Sequence, residues 1–229
     1  MKVTAIIAAA GLGKRMGGDR PKQYLELGGR PIICHTLDRF LNASVVSDVI
    51  VVVEPGREAD FKKDILEAYG YPKSWMVICG GAARQDSIAN GLRHVSADCD
   101  VILVHDGVRP FVTTAQIERA AAVAMQDGAC VIASPIKETV KRVGPEGIVI
   151  ETVDRKYLWS AETPQGFLTN ILKEAMTAAS NDGFVGTDDA SLVERLGIQV
   201  TVIEGTGHNI KITTPADIAI AEAILKEWK

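Results

Sequence analysis

The residues best suited to chemistry follow the first apolar run. Ala8-Ala9-Ala10-Gly11-Leu12-Gly13 leads directly into Lys14, Arg15, Arg20 and Lys22, so small side chains give way to cations. Small residues let backbone N–H groups approach phosphate oxygens, and Lys and Arg neutralise the charge of a triphosphate as it is cleaved. Two familiar glycine loops do not fit. A P-loop needs Ser or Thr after Gly13-Lys14 and a glycine five residues before Gly13, where this chain has Arg15 and Ala8. A dinucleotide fingerprint on Gly11 and Gly13 needs a small residue where Met16 stands, and no acid ends a second strand at the required distance. The loop therefore reads as a phosphate site of another kind, or as a surface turn with solvated cations.

Two further stretches carry candidate ligands. Gly80-Gly81-Ala82-Ala83-Arg84-Gln85-Asp86-Ser87 offers flexible backbone before a helix, with a hydroxyl at Ser87 able to meet a base edge; taken alone it is also ordinary turn chemistry. His105-Asp106-Gly107-Val108-Arg109-Pro110 sets a carboxylate beside a guanidinium. Asp106 suits a ribose hydroxyl or Mg²⁺, which takes oxygen ligands from one or two carboxylates plus substrate phosphates. A simple Asp106–Arg109 pair across a turn is the other reading. His94 and His105 have no partner motif for nucleophilic or metal chemistry and read as structural. Cys34, Cys79, Cys99 and Cys130 lack CxxC spacing and read as small buried thiols. Thr139, Arg155, Thr163, Thr187 and Lys211 are cations and hydroxyls scattered over the C-terminal half, and spacing alone does not say whether they converge.

The elements that must position these groups follow a βαβ rhythm. Apolar runs of strand length at Thr4–Ala9, Val49–Val53, Met76–Cys79, Val101–Val104 and Ala129–Ser134 are separated by segments with helical spacing. Continuous apolar strands are those of a parallel sheet covered by helices on both faces, whose ligand crevice lies at the strands' carboxyl ends. Pro31 opens a helix with Ile33, Leu37, Phe40 and Leu41 on one face, and Thr114, Gln116 and Ile117 start another that runs through Met125. Thr214-Pro215-Ala216-Asp217 supplies a capping hydroxyl, a first-turn proline and an early acid for a last helix. Residues 136–157 break the rhythm. Thr139–Val143 and Ile148–Val153 flank Gly144-Pro145-Glu146-Gly147 and predict a hairpin arm. A two-stranded arm cannot bury its own faces, so a second copy of the chain is its expected partner, giving a homodimer.

The chain has 229 residues, long enough for a substantial core, and no internal repeat or linker divides it, so one α/β domain over residues 1–229 is expected. Its 47% hydrophobic and 5% aromatic content suits that class. A net charge of -4 creates no global field for nucleic acid or anionic membrane, which favours a small-molecule substrate. The N-terminus has no signal-peptide pattern and no stretch approaches membrane-spanning length, so a cytoplasmic location is expected.

Taken together, these stretches resemble the 2-C-methyl-D-erythritol 4-phosphate cytidylyltransferase family along nearly the whole chain. The ordered segments are AAAGLGKRMGGDRPKQYLELGGRPI from Ala8, GGAARQDSIANGL from Gly80, VHDGVRPF from Val104, TVKR from Thr139, TVDR from Thr152, ETPQGF from Glu162, TDDASLVE from Thr187 and HNIKITTPADI from His208. The resemblance implies a nucleotide-diphospho-sugar-transferase-like α/β fold with a protruding β-arm, Mg²⁺ as cofactor, and transfer of CMP from CTP to 2-C-methyl-D-erythritol 4-phosphate. It assigns the CTP site to Ala8, Ala9, Ala10, Gly11, Gly80, Gly81, Ala82, Ser87 and Asp106. Arg15 and Lys22 match the pair that stabilises the transition state, and Arg155 and Lys211 match residues that position the methylerythritol phosphate. Arg109, Thr139, Thr163 and Thr187 are implied as its other contacts, with Thr139 and Arg155 on the arm serving the partner's site. The chain departs from the pattern at His208, where a polar or acidic residue is expected, and at Gly107-Val108, where two alanines are expected. A ribitol 5-phosphate cytidylyltransferase would share the fold and CTP site. A nucleotide-binding module without catalysis is the alternative of another class.

Overall fold

The first strand sets the architecture. Along β1 (Val3–Ala9), alternate side chains point to opposite faces, and both faces are apolar, so each must be covered. The structure, a computed structural model, describes residues 1–11 and 21–228. After β1 come the short strands β2 (Glu26–Leu27) and β3 (Arg30–Pro31), helix α1 (Ile32–Asn42), β4 (Val46–Val53) and α2 (Glu58–Phe61), which runs into a π-helical stretch at Lys62–Glu67. Then follow β5 (Met76–Cys79), α3 (Arg84–Leu92), β6 (Val101–Asp106), α4 (Thr114–Asp127) and β7 (Ala129–Pro135). The remainder comprises β8 (Val140–Val143), β9 (Val149–Val153), β10 (Trp159–Leu168), α5 (Thr169–Asn181), α6 (Asp189–Arg195), β11 (Thr201–Glu204) and α7 (Pro215–Glu227).

Seven strands form one sheet in the order β5-β4-β1-β6-β10-β7-β11. β1 pairs in parallel with β4 and β6, β4 with β5, and β7 with β11, while β10 runs antiparallel between β6 and β7. One core joins Ala5, Ile7 and Val51 to Leu37, Phe40, Phe61 and Ile117; the other joins Ile6, Ile50 and Val104 to Ile88, Leu92, Leu172 and Val193. Helices thus cover both faces, as the unbroken apolar strands predict. A third cluster docks α7 against Leu27, Ile32, Val108 and Phe111 through Ala221 and Ile224.

Several sequence expectations are adjusted. Leu41 lies on the exposed side of α1, whose buried face is Ile32, Ile33, Cys34, Thr36, Leu37 and Phe40. Cys79 is exposed, whereas the other three thiols are buried. The start of α7 is capped at Thr214 and Asp217, and the Asp217 carboxylate accepts the N–H groups of Thr213 and Thr214 at 2.7 and 2.8 Å. Strand β10 has no counterpart among the predicted runs because it is polar. Its buried Glu162, Thr163 and Gln165 are stabilised by hydrogen bonds instead of by apolar packing.

The 136–157 arm is present as the β8–β9 hairpin, with a turn closed by Gly147 N–H donating to the Gly144 carbonyl at 3.0 Å. Val143, Ile148, Val149, Ile150, Tyr157 and Trp159 are exposed on and beside it.

Candidate active site

At the carboxyl ends of β1, β4, β5 and β6 lies a cavity of about 540 Å³. Its wall includes Ala8, Ala9, Ala10, Gly11, Lys22, Gly81, Ala82, Ser87, Asp106 and Lys211 from the predicted set, together with Gln23, Glu54, Pro55, Ala83, Arg84 and Val108. The crevice expected of a mostly parallel sheet is therefore where residues from the separate motifs meet.

The Gly80 turn is shaped by space as well as by flexibility. A Cβ on Gly80 would fall 2.5 Å from Ala10 Cβ and 2.9 Å from Ser87 Oγ, so only glycine lets the β5 end approach the β1 loop. The Ser87 hydroxyl accepts the Gly81 N–H and donates to the Ala83 carbonyl, both at 3.0 Å, tying this turn to α3. Gly107 plays a similar part on the other side. Its N–H donates to the Ala8 carbonyl at 2.9 Å, and an added Cβ would lie 2.7 Å from Ile33 Cδ1. The expected alanine would require the Ile33 side chain to shift, and Val108 is buried in the α7 cluster.

Asp106 is the electrostatic centre. Lys211 Nζ lies 2.9 Å from Oδ2, Arg109 Nε 3.4 Å from the same oxygen, and Arg84 Nε 3.3 Å from Oδ1. Burial pushes this carboxyl up, but Lys211, Arg84 and Arg109 more than offset it and hold the group well below the usual carboxylate range. The Asp106–Arg109 pair read from the sequence is one part of this cluster. Arg84, which sequence reasoning passed over, bridges Asp106 to Asp189 through a 2.8 Å contact between Nη1 and Oδ2. Burial raises the Asp189 carboxyl, and Arg84 opposes that rise.

His105 and Thr163 hold Asp106 from behind. His105 Nε2 donates to the Arg109 carbonyl at 3.1 Å, which leaves Nδ1 to accept the Thr163 hydroxyl at 3.0 Å; the Asp106 N–H in turn donates to Thr163 Oγ1 at 3.1 Å. This arrangement requires a neutral ring, in keeping with a structural histidine, and burial lowers its pKa to about 4. The unfolded chain therefore binds the proton more readily between about pH 6.5 and pH 4. The neutral ring's contribution to stability is complete above that window and is lost as the pH falls through it. Wild-type protein is expected to lose about 2 kcal/mol of unfolding free energy from this source between pH 7 and pH 5. Denaturant titrations of His105→Gln should show a correspondingly flatter pH dependence; parallel curves for the two proteins would contradict this.

Of the other predicted site residues, Thr163 and Arg109 sit against Asp106, whereas Thr139, Arg155 and Thr187 stand exposed elsewhere. Thr163 is buried behind Asp106, and Arg109 donates to the Asn209 carbonyl at 2.7 Å, fixing the segment that leads to Lys211. Thr139 and Arg155 are exposed on the arm, with the Arg155 guanidinium donating to the Lys137 carbonyl. Thr187 is exposed in the loop before α6, and His208 is exposed beside buried Asn209. Arg15 lies outside the described residues. Among the described residues no group of three or more His, Cys, Asp or Glu side chains converges to hold a metal ion. Asp106 is an ionised carboxylate on the cavity wall with Lys211, Arg109 and Arg84 on its oxygens, so a metal ion bound there would share or displace those contacts.

A mostly parallel α/β sheet, a cavity at its carboxyl edge and cations grouped around one aspartate define a protein of the α/β nucleotidyltransferase class. The family model described as "IspD: 2-C-methyl-D-erythritol 4-phosphate cytidylyltransferase" matches residues 3–227. The chain belongs to that family. It is 48% identical over 228 residues to the 2-C-methyl-D-erythritol 4-phosphate cytidylyltransferase of Geotalea uraniireducens, covering 99% of this chain and 97% of that protein. The enzyme of the same name from Alkaliphilus metalliredigens is 45% identical, covering 100% of this chain and 95% of its own. Among solved structures, 4-diphosphocytidyl-2C-methyl-D-erythritol synthase from Anaerococcus prevotii superposes with a TM-score of 0.87 at 32% identity, over 98% of this chain and 96% of that one. The Thermus thermophilus cytidylyltransferase gives 0.81 at 34% identity, over 99% and 100%.

Proposed function

We propose that this chain transfers CMP from CTP to 2-C-methyl-D-erythritol 4-phosphate, releasing pyrophosphate and supplying an isoprenoid precursor. The observation that carries this reading is the cavity wall, where the Ala8–Gly11 and Gly81–Ala82 backbones face Lys22, Lys211 and Asp106 within a chain of the cytidylyltransferase family. The small-residue backbones hold the nucleotide, with Ser87 keeping the Gly80–Ala82 turn in shape. Lys22, together with Arg15, neutralises charge on the α-phosphate and on the departing pyrophosphate. A phosphate monoester is already a competent nucleophile near neutral pH, so the chain's task is alignment and electrostatics, with no covalent enzyme intermediate. Asp106 and the nucleotide phosphates would hold Mg²⁺, which when bound supplies further charge neutralisation at the phosphates.

Lys211 reaches the substrate phosphate from the cavity wall, held in place by Arg109 through the Asn209 carbonyl. Arg155 and Thr139 complete the polyol site in trans, carried by the arm of a second copy, with Thr187 at its margin and Thr163 supporting Asp106 from behind. The exposed Val143, Ile148, Val149 and Ile150 give that arm an apolar surface to bury. A solution mass of two chains is the corresponding check. A CTP-consuming reaction suits the cytoplasm, and among the described residues no helix is long and apolar enough to cross a membrane.

The polyol is the open choice within this reading. Pyrophosphate release should be measured with CTP and Mg²⁺, offering methylerythritol 4-phosphate and ribitol 5-phosphate in parallel. Preference for the methylerythritol compound is expected; preference for ribitol 5-phosphate would keep the chemistry and replace the substrate.

A further inference from the structure

Lys22 sits on a short 3-10 turn, Lys22–Tyr24, and the two residues that follow it are both buried. Gln23 is 1% exposed, and its side-chain amide donates to the Ala9 carbonyl at 2.6 Å and to Glu54 Oε1 at 2.5 Å. The Tyr24 hydroxyl donates to Glu54 Oε2 at 3.3 Å. Both oxygens of one carboxylate are thus taken by the two residues that follow Lys22. Glu54 itself is 5% exposed, follows the end of β4 and lies on the cavity wall.

A carboxylate in that position is costly. It is removed from water and it repels any polyphosphate entering the cavity. Two neutral groups, the Gln23 amide and the Tyr24 hydroxyl, donate to it. What it does mechanically is clear from the strand register. Ala9 on β1 pairs with Val53 on β4, so the Gln23 amide spans the ends of two adjacent strands, one beginning the Ala8–Gly11 loop and the other leading into Glu54.

We propose that Glu54 and Gln23 are positioning residues for cytidylyl transfer: Glu54 anchors the turn that carries Lys22, and Gln23 fixes that turn to the root of the nucleotide loop. The inference rests on the role given to Lys22 above. Charge stabilisation depends on a cation already in place when the charge develops, and a misplacement of about 1 Å can cost about 10²-fold in rate.

The test is a double-mutant cycle between Glu54 and Lys22, read by single-turnover and steady-state kinetics with CTP and methylerythritol 4-phosphate. Glu54→Ala is expected to lower kcat by about ten- to a hundredfold in the wild-type background, with a smaller change in the KM for CTP, and by less than about twofold in the Lys22→Ala background. Glu54→Gln keeps an acceptor for Gln23 and should return kcat to within about threefold of wild type. Gln23→Met keeps the volume, removes the donor and should repeat the loss, which keeps the test available if Glu54→Ala does not fold. Additive effects of Glu54→Ala and Lys22→Ala would overturn the proposal. So would a rise in the KM for CTP that persists without Lys22, which would make Glu54 a direct nucleotide contact, or a lower melting temperature with unchanged kcat, which would make the pair structural only. A wild-type protein with no CTP-dependent pyrophosphate release would overturn the proposed function itself and this role with it; an active wild type with an additive cycle overturns this role alone.

Discussion

Lys22→Ala should lower kcat by about 10²–10³ while leaving the protein folded, the loss seen when a preorganised charge-stabilising donor is removed from an active site. The expectation follows from the division of labour among the cations of the cavity. Lys211 and Arg84 are each in contact with Asp106, whereas Lys22 approaches from the β1 side on a turn built by Gln23 and Tyr24. In the proposed reaction a cation held there acts where negative charge develops, on the α-phosphate and pyrophosphate, and has less to do for the ground-state nucleotide. The substitution should therefore lower kcat and kcat/KM together, with little change in the KM for CTP. Arg15→Ala is expected to behave alike through the role its family match implies. Near-normal turnover in steady-state kinetics of either variant would remove that residue from the mechanism.

The second large effect concerns stability. Asp106→Ala leaves Lys211, Arg84 and Arg109 clustered around a missing carboxylate, and breaking a buried charge pair by deleting one partner costs about 3–5 kcal/mol. Activity is lost as well, since the same carboxylate is the one proposed to meet the metal ion or ribose. The pH dependence identifies the cause. The Asp106 carboxyl is held below its unfolded range, so its contribution is complete above about pH 4 and is lost as the pH falls toward the folded value. Urea unfolding should therefore show the full difference between wild type and variant at pH 7 and a narrowing gap below about pH 4. A gap smaller than about 1 kcal/mol at pH 7 would show that the three cations are stabilised without Asp106.

The parts of the fold that sequence makes legible are those where apolar burial does the organising. β1, β4, β6 and β7 are read from continuous apolar runs because both faces of each are covered, and the edge strand β5 is read from its short apolar run although Met76 and Cys79 are exposed. β10 escapes that logic although it lies between β6 and β7. Gln165 there accepts the Asp189 and Ala190 N–H groups at 3.1 and 3.0 Å, and Glu162 accepts the Ser134 hydroxyl at 2.6 Å, so burial rests on partners far away in sequence. β11 is an edge strand with alternating half-buried and exposed residues, too short and too polar to stand out.

The candidate site divides in the same way. Backbone segments such as Ala8–Gly11 and Gly81–Ala82 announce themselves by composition. Arg84 does not, because its role depends on Asp106 and Asp189, which only the fold brings to it. A signal was available: a cation at the first position of a helix that follows a strand's carboxyl end already points at the crevice. Glu54 carries no motif, and only the hydrogen bonds from Gln23 and Tyr24 show what it holds.

Group transfer itself is tested most directly with CTP labelled at the α-phosphate. Incubated with the protein, methylerythritol 4-phosphate and Mg²⁺, the label should move into a cytidine diphosphate ester of the polyol, with one pyrophosphate released for each label transferred, and ATP, GTP and UTP should not replace CTP. Label that stays in CTP while the nucleotide binds would contradict catalysis and make the chain a nucleotide-binding module.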